Sequence, residues 1–151
     1  MEEDISLTAQ KLLKSINEFR RISKHGSPIE GLTHSEAMLV FCIKKNISSD
    51  EAGIKTSELS RVLKVASPTI TQQINNLEAR GYVERNADKN DRRAVRIKLT
   101  EAGEDVLRKT FKAFNEMIEG LVRYLGNERG NELADLLADA VTYFSEIKMN
   151  S

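Results

Sequence analysis

The sequence predicts a mainly α-helical fold with one small β-hairpin, in which long helices stand at both ends of the chain. Three observations lead to this prediction. Apolar residues recur with a 3.6-residue period near both ends of the 151-residue chain. A strict alternation of apolar and polar residues, typical of a strand, runs over Val95–Leu99. Before this strand, residues that cap or end short helices, such as Ser67-Pro68 and Gly81, follow one another closely.

The first two helices are predicted at Ile5–Lys24 and His34–Lys45. The first carries a regular apolar stripe, and we expect Gly26-Ser27-Pro28 to end it. Thr33 and Glu36 have the spacing of a capping box at the start of the second helix. That helix is apolar on nearly all sides, which is typical of a helix that its neighbours bury.

Two shorter helices follow a polar stretch, Asn46–Gly53, that predicts a loop, and Ile54 fits a very short strand. The short helices are predicted at Ser57–Leu63 and Pro68–Arg80, with a tight turn between them. Ser67 is a favourable N-cap, and proline is tolerated at the first helical position. Two helices joined in this way are typical of a helix-turn-helix, in which the second helix reads DNA.

The strands predicted at Tyr82–Arg85 and Val95–Leu99 form a β-hairpin whose tip, Asn86–Ala94, is polar and charged. A hairpin directly after the second short helix predicts a winged helix-turn-helix. Long helices at Glu101–Leu125 and Glu128–Lys148 complete the predicted fold.

Composition excludes several other classes of protein. The single cysteine, Cys42, excludes a disulfide framework and a cysteine-based zinc finger, and with two histidines we expect no metal site. Cys42 lies in the apolar run Ala37–Ile43, so we expect a buried small hydrophobic residue rather than a reactive thiolate. This longest apolar run has seven residues, whereas a membrane span needs roughly 20. We expect no membrane span and no signal peptide, which favours the cytoplasm.

The charges are distributed unevenly, although 23 basic and 23 acidic side chains give a formal net charge of zero. Residues 54–100 hold 10 basic and 5 acidic groups, a net charge of +5. Residues 1–53 have a net charge of −1, and residues 101–151 have a net charge of −4. A basic middle segment is the electrostatic footprint of a phosphate binder, and chance clustering of surface charges is the alternative.

The second short helix has one apolar and one polar face. Steps of 100° place Ile70, Ile74 and Leu77 together on the inner face. Asparagine and glutamine can bond adenine, threonine can contact the thymine methyl group, and the N–H groups after Ser67 suit a phosphate. A face that is merely solvated is the alternative. The candidate DNA-binding residues of this helix are Ser67, Thr69, Thr71, Gln72, Gln73, Asn75 and Asn76.

The hairpin supplies the second set of candidates. Its six basic residues outnumber its three acidic residues, and arginines on extended arms commonly enter a narrow minor groove. Of the two adjacent arginines at the tip, one is expected to enter the groove; the other holds a phosphate or pairs with Asp88 or Asp91. The candidate DNA-binding residues of the hairpin are Arg85, Lys89, Arg92 and Arg93.

Two stretches of the sequence resemble the MarR family of bacterial and archaeal regulators. The first comprises Glu58-Leu59 and Val65–Arg85, which reads VASPTITQQINNLEARGYVER, and is similar to the family's winged helix. The second, Asp88–Gly103, reads DKNDRRAVRIKLTEAG and is similar to the family's wing signature. Thr33 and Glu36 match the usual start of the family's second helix, whereas the loop Asn46–Lys55 is longer than the family's pattern.

The resemblance implies one domain over residues 1–151, with a winged helix at 32–100 and dimerisation helices at 1–25 and 101–151. It implies a homodimer on palindromic DNA, with half-site centres about 10–10.5 bp or a multiple of that apart. The apolar stripes of the long helices support a homodimer independently, because isologous pairing would cover them. A monomer that folds these helices back on itself is the alternative. The residues expected to form the dimer are Leu12, Ile16, Phe19, Leu137, Phe144 and Ile147.

The sequence thus predicts a sequence-specific DNA-binding transcriptional regulator that partners double-stranded DNA, without a cofactor or an enzymatic activity. The resemblance further implies that it is a ligand-responsive repressor, whose effector is often a small aromatic anion in this family. A winged helix that serves as a protein-interaction module or dimeric adaptor remains the main alternative. An enzyme with carboxylate chemistry is the weakest alternative, because no nucleophile and base pair stands out.

Overall fold

The structure, a computed structural model, describes residues 1–25, 29–46 and 53–149. These ranges form six helices and three strands, which confirms a mainly α-helical fold with a small sheet. The predicted end of the first helix at 26–28 and residues 47–52 of the predicted loop lie outside the described residues. In chain order the elements are α1 (Glu2–His25), α2 (His34–Lys45), β1 (Ile54–Lys55), α3 (Thr56–Leu63), α4 (Ser67–Ala79), β2 (Val83–Ala87), β3 (Val95–Leu99), α5 (Glu101–Leu125) and α6 (Asn127–Met149).

The strands form one antiparallel sheet in the order β1-β3-β2. The hairpin of β2 and β3 is confirmed, but β2 runs two residues past its predicted end at Arg85. It does so because Ala87 still pairs with Val95. The short strand predicted around Ile54 is also present, and it joins the hairpin by pairing with Ile97 on the other side of β3. The sheet therefore ties the wing to the chain segment that precedes α3.

The hydrophobic core lies between α2, α3, α4, the sheet and the first turns of α5. Ile70, Ile74 and Leu77 bury the inner face of α4, each with at most 1% of its surface exposed, as the helical period predicted. They belong to the same core as the buried side chains of α2, α3 and the sheet. The other fully buried large side chains of the described residues are Leu32, Leu39, Val40, Ile43, Leu59 and Ile97.

The predicted capping box of α2 is confirmed. Thr33 Oγ1 accepts from the backbone N–H of Glu36, and the Thr33 N–H donates to the Glu36 carboxylate. The prediction that Ser67 is the N-cap of α4 is wrong, because α4 already includes Ser67 and Ala66 is at the N-cap. The Ser67 hydroxyl instead lies 3.3 Å from the hydroxyl of Ser60 on α3.

The start of α5 packs against the turn that joins α4 to β2. The Thr100 hydroxyl donates to the Gly81 carbonyl at 2.5 Å, and the Thr100 N–H donates to the Tyr82 carbonyl at 3.1 Å. A Cβ atom at Gly103 would lie 2.0 Å from that Tyr82 carbonyl oxygen, so only glycine allows this approach. Gly81 itself has a φ of +75°, a left-handed conformation that suits glycine. We call this contact between Gly81-Tyr82 and Thr100–Gly103 the α5 joint.

Gly103→Ala is expected to lower the free energy of unfolding by about 1–3 kcal/mol, because the new methyl group must push α5 away from Tyr82. Urea unfolding followed by circular dichroism measures the change. Gly120→Ala on the same helix is the matched control, because no described atom outside that helix lies within 4 Å of its Cβ position. The control is expected to raise stability, since alanine is the better helix former. Unchanged stability of Gly103→Ala would contradict the close contact.

Candidate nucleic-acid interface

The outer face of α4 carries the uncharged polar residues that the sequence singled out. Thr69, Thr71, Gln72, Asn75 and Asn76 are exposed, and Gln73 is half-buried. This face is exposed because the opposite stripe is buried in the core. The helix therefore presents a mixed set of hydrogen-bond donors and acceptors, the kind of surface that can read base edges in a major groove.

Arg80, directly after α4, fixes the end of this helix against the start of α2. Its Nη2 group donates to the Gly31 carbonyl at 2.7 Å, and its Nη1 group lies 3.4 Å from the Glu36 carboxylate. The guanidinium also lies 4.9 Å from the centre of the Tyr82 ring, within the range of a cation–π contact. The charge of Arg80 is therefore matched by groups of the same chain.

Arg85 lies at the base of the wing and contacts α4. Its guanidinium pairs with the Glu78 carboxylate and donates to Asn75 Oδ1 at 2.5 Å. The base of the wing thus lies beside the exposed face of α4. The structure brings together two predicted DNA-binding residues, Arg85 and Asn75, and joins them by a hydrogen bond to each other.

Asp88 organises the tip of the wing. It is 6% exposed, and its carboxylate accepts the backbone N–H groups of Asn90 and Asp91 at 2.8 and 2.9 Å. The Arg96 guanidinium pairs with the same carboxylate and donates to the Gly53 carbonyl at 2.9 Å. The side-chain hydrogen bond from Arg96, followed by the backbone N–H of Asn90, lowers the pKa of Asp88 to about 2.

The partner of Asp88 differs from the expected ones. Sequence reasoning allowed Arg92 or Arg93 to brace the loop through Asp88 or Asp91. The structure assigns the pairing with Asp88 to Arg96 on β3, and the Arg93 backbone N–H donates to Asp91. Among the described residues, no ion pair includes the side chains of Lys89, Arg92 or Arg93, and all three residues are exposed. The wing tip therefore presents three cations to solvent.

The turn that Asp88 forms with its own loop was not predicted from the sequence, although a signal existed. An aspartate whose side chain accepts the backbone N–H two residues later forms an Asx-turn, and Asp88-Lys89-Asn90 has the composition of such a turn. The hydrogen bond from Arg96 to the Gly53 carbonyl could not be predicted from the sequence, because the two residues lie far from one another along the chain.

The long terminal helices carry large apolar side chains on the surface of the single chain. Phe19 on α1 is 71% exposed, and Leu137 and Phe144 on α6 are 59% and 60% exposed. Every side chain of α1 for which burial is described is exposed, and none of these side chains belongs to the core. The other predicted dimer residues, Leu12, Ile16 and Ile147, are exposed as well.

Cys42 is buried among apolar side chains, with 4% of its surface exposed. Burial raises the pKa of its thiol, and a hydrogen bond from Asn46 together with the charge of Lys45 partly opposes this shift. A protonated, buried thiol behaves as a small hydrophobic group. Across residues 1–25, 29–46 and 53–149, no cluster of histidine, cysteine and acidic side chains could hold a metal ion.

In the same part of the chain, none of the helices combines the length and apolar character needed to cross a membrane.

Comparisons with known proteins agree with this geometry. The family profile described as "MarR family" matches residues 32–95. The transcriptional regulator SarZ of Staphylococcus haemolyticus is 29% identical over 112 residues, which cover 74% of this chain and 67% of SarZ. The transcriptional repressor MprA of Escherichia coli is 26% identical over 103 residues, 68% of this chain and 58% of MprA. The match therefore spans less than two thirds of MprA.

Among solved structures, FabT of Streptococcus pneumoniae in complex with DNA superposes with a TM-score of 0.63 and 22% identity. The superposition covers 97% of this chain and 99% of FabT. The helix pair α3 and α4, followed by the β-hairpin of β2 and β3, gives this chain the fold of the winged helix-turn-helix proteins. Residues 32–95 are thus similar to the MarR family, and the relatives named above are transcriptional regulators.

Asp88→Asn is expected to lower the urea midpoint at neutral pH, because the amide keeps a hydrogen-bond acceptor but loses the charge that pairs with Arg96. The folded-state pKa of about 2 lies below the ordinary 3.8, so ionised Asp88 stabilises the fold above about pH 4. This contribution is lost as the pH falls from about 4 towards 2. The difference between parent and variant should therefore be constant above about pH 5 and shrink below pH 4.

Urea unfolding of both proteins across this pH range measures the difference. Asp91→Asn is the matched control, because this exposed aspartate lies at the same wing tip and accepts a backbone N–H from Arg93. A difference between parent and Asp88→Asn that persists undiminished near pH 2 would contradict the assigned ion pair.

Proposed function

We propose that this chain is a sequence-specific, DNA-binding transcriptional repressor that acts as a homodimer, without an enzymatic activity. One observation carries the proposal: the exposed polar face of α4 lies beside a wing whose tip presents Lys89, Arg92 and Arg93. The names of the relatives, a repressor and a regulator, support the same class of activity. Because the relatives named above are bacterial and the proposed partner is double-stranded DNA, the proposed place of action is the cytoplasm.

The two surfaces are suited to different parts of the duplex. In this proposal, base edges in the major groove are read by side chains that can match their donors and acceptors, those of Thr69, Thr71, Gln72, Gln73 and Asn76. The N–H groups at the start of α4, beside Ser67, suit a backbone phosphate. The proposed role of Arg92 and Arg93 is to enter the adjacent minor groove and to hold the backbone.

The homodimer is proposed on the exposure of the long helices. Isolated exposed apolar residues are ordinary, but a contiguous set along whole helices indicates a surface that another protein covers. Isologous pairing of α1, α5 and α6 with the same helices of a second copy would bury this set. The proposed unit is one domain over residues 1–151, with the winged helix at 32–100 and dimerisation helices at 1–25 and 101–151.

Palindromic operators follow from the proposed symmetry, because two winged helices related by a two-fold axis meet two half-sites of opposite orientation. The proposal includes an effector, a small aromatic anion, that changes the separation of the two copies of α4. Phe41 and Phe111 make an edge-to-face contact at 5.3 Å between α2 and α5, so an effector inserted there would act where the winged helix meets a dimerisation helix.

A winged helix used as a protein-interaction module remains the second candidate function. The three exposed cations of the wing tip argue against this function. A partner protein would need matching acidic groups, whereas every duplex offers phosphates.

Selection of binding sites from a random duplex pool with the purified protein is the decisive experiment. A palindrome with half-site centres about 10–10.5 bp or a multiple of that apart is the expected result. Arg92→Ala and Arg93→Ala are expected to weaken binding, and each lost phosphate contact should reduce the salt slope by about one unit. An arginine in the minor groove should instead show a loss that depends on the sequence of the site.

Arg108→Ala is the matched control, because Arg108 is an exposed arginine on α5, outside the wing strands, that pairs with Asp105. This control should bind DNA like the parent. If the parent showed neither a selected motif nor salt-dependent binding of any duplex, the interaction-module function would replace the proposed one. Parent-like binding by both wing variants would remove the wing from the interface.

The parent protein is expected to sediment with twice the 17.0 kDa mass of the chain. Leu137→Arg should shift it towards the mass of one chain and weaken DNA binding, because a charge would enter the proposed apolar interface. Glu132→Arg, an exposed polar position of the same helix, is the control and should leave the mass unchanged. Sedimentation of the parent as a single chain at micromolar concentration would exclude the homodimer.

A further inference from the structure

Arg85 holds the side chain of Asn75 on the exposed face of α4. One amino group of the guanidinium, Nη2, donates to Asn75 Oδ1 at 2.5 Å. The other, Nη1, pairs with the carboxylate of Glu78, three residues further along the helix. The guanidinium thus bridges two side chains of α4 from its place on β2, and about one third of the Arg85 side chain remains exposed.

The chemistry of the guanidinium fixes the orientation of the amide. Arginine has five N–H donors and no acceptor, so it can bond Asn75 only through the amide oxygen. The amide NH2 group of Asn75 must then point away from Arg85. The adjacent positive charge also disfavours a second donor at the same oxygen, because a donor hydrogen carries a partial positive charge. Asn75 is therefore left with two N–H donors for any partner outside the chain.

We infer that Arg85 is a positioning residue that makes Asn75 a donor-only reader of base edges; this inference rests on the proposed DNA-binding function. Guanine offers two acceptors in the major groove and thymine offers one, whereas adenine pairs an acceptor with a donor and cytosine offers a donor. Donor-only Asn75 favours guanine or thymine, because the single acceptor of adenine lies beside an amino group that repels a second donor. A freely rotating asparagine takes adenine, through one acceptor and one donor.

Glu78 completes the arrangement. Its carboxylate pairs with Arg85 and holds the guanidinium on α4, so the arginine is not drawn to a phosphate. The expectation that Arg85 contacts DNA as part of the wing is thereby replaced by an action through Asn75. Asn76 provides the contrast, because its exposed side chain makes no hydrogen bond to the described residues.

Parallel selections from a random duplex pool with the full-length parent, Asn75→Ala and Arg85→Ala test the inference. The parent should prefer guanine or thymine by roughly 3- to 10-fold at one position of each half-site, the size expected for one hydrogen bond. Asn75→Ala should lose the preference at that position. Arg85→Ala should move the same position towards adenine, with an unchanged salt slope. Arg85→Lys, which retains a cation without an acceptor, should keep the parent's preference.

Asn76→Ala is the matched control and should change a different base position. Asn75→Asp gives an independent test, because it keeps a partner for Arg85 but replaces the outward donor by an acceptor. It should move the selected base towards cytosine. This variant also keeps the inference testable if Arg85→Ala shows, by circular dichroism, that it does not fold.

Two results would overturn the inference while leaving the proposed function intact. One is an Arg85→Ala variant that binds every sequence more weakly and has a salt slope smaller by about one unit, since Arg85 would then be a phosphate contact. The other is an Asn75→Ala variant with the parent's base preferences. A parent that selects no sequence and binds no duplex would overturn the proposed function itself, and the inference with it.

Discussion

Burial of the inner stripe of α4 is the constraint on which the rest of the structure depends. Ile70, Ile74 and Leu77 have almost no exposed surface. A helix that buries one stripe so completely has only one possible rotation about its own axis. The direction of every polar side chain on the opposite face follows from this burial. The polar face takes no part in the core, so its residue types are not restricted to those that core packing requires.

Three arginines then fix the position of this helix and the wing. Arg80 joins the end of α4 to the start of α2, Arg85 joins the base of the wing to α4, and Arg96 joins the wing tip to the chain before β1. Each pairs with a carboxylate of the same chain, so its charge is largely matched within the fold. Glu78 and Asp88 are already counted in the net charge of +5 of residues 54–100, so only the pairing of Arg80 with Glu36 makes one unit of that net charge structural rather than available to a partner.

The helices, the hairpin and the inner stripe of α4 were predictable because their signals are local. Periodicity, the capping box at Thr33 and the alternation over Val95–Leu99 each lie within a few residues of the element that they define. The pairing of β1 with β3 and the contact between Arg96 and Gly53 join parts of the chain 43 residues apart, and no local pattern encodes them. The charge of Arg85 was likewise visible in the sequence, but its contacts with Glu78 and Asn75 were not.

The α5 joint has a mechanical consequence. At 1.5 Å per residue, the 25 residues of α5 form an arm about 37 Å long, and its first turn is held against the backbone of Gly81-Tyr82. A rotation of about 5° at that end displaces the other end by about 3 Å, without bending the helix. The close backbone approach at Gly103 allows little relative movement between α5 and Tyr82. In the proposed dimer, α5 is thus a lever arm by which a small rotation at one end becomes a displacement comparable to the length of a hydrogen bond at the other.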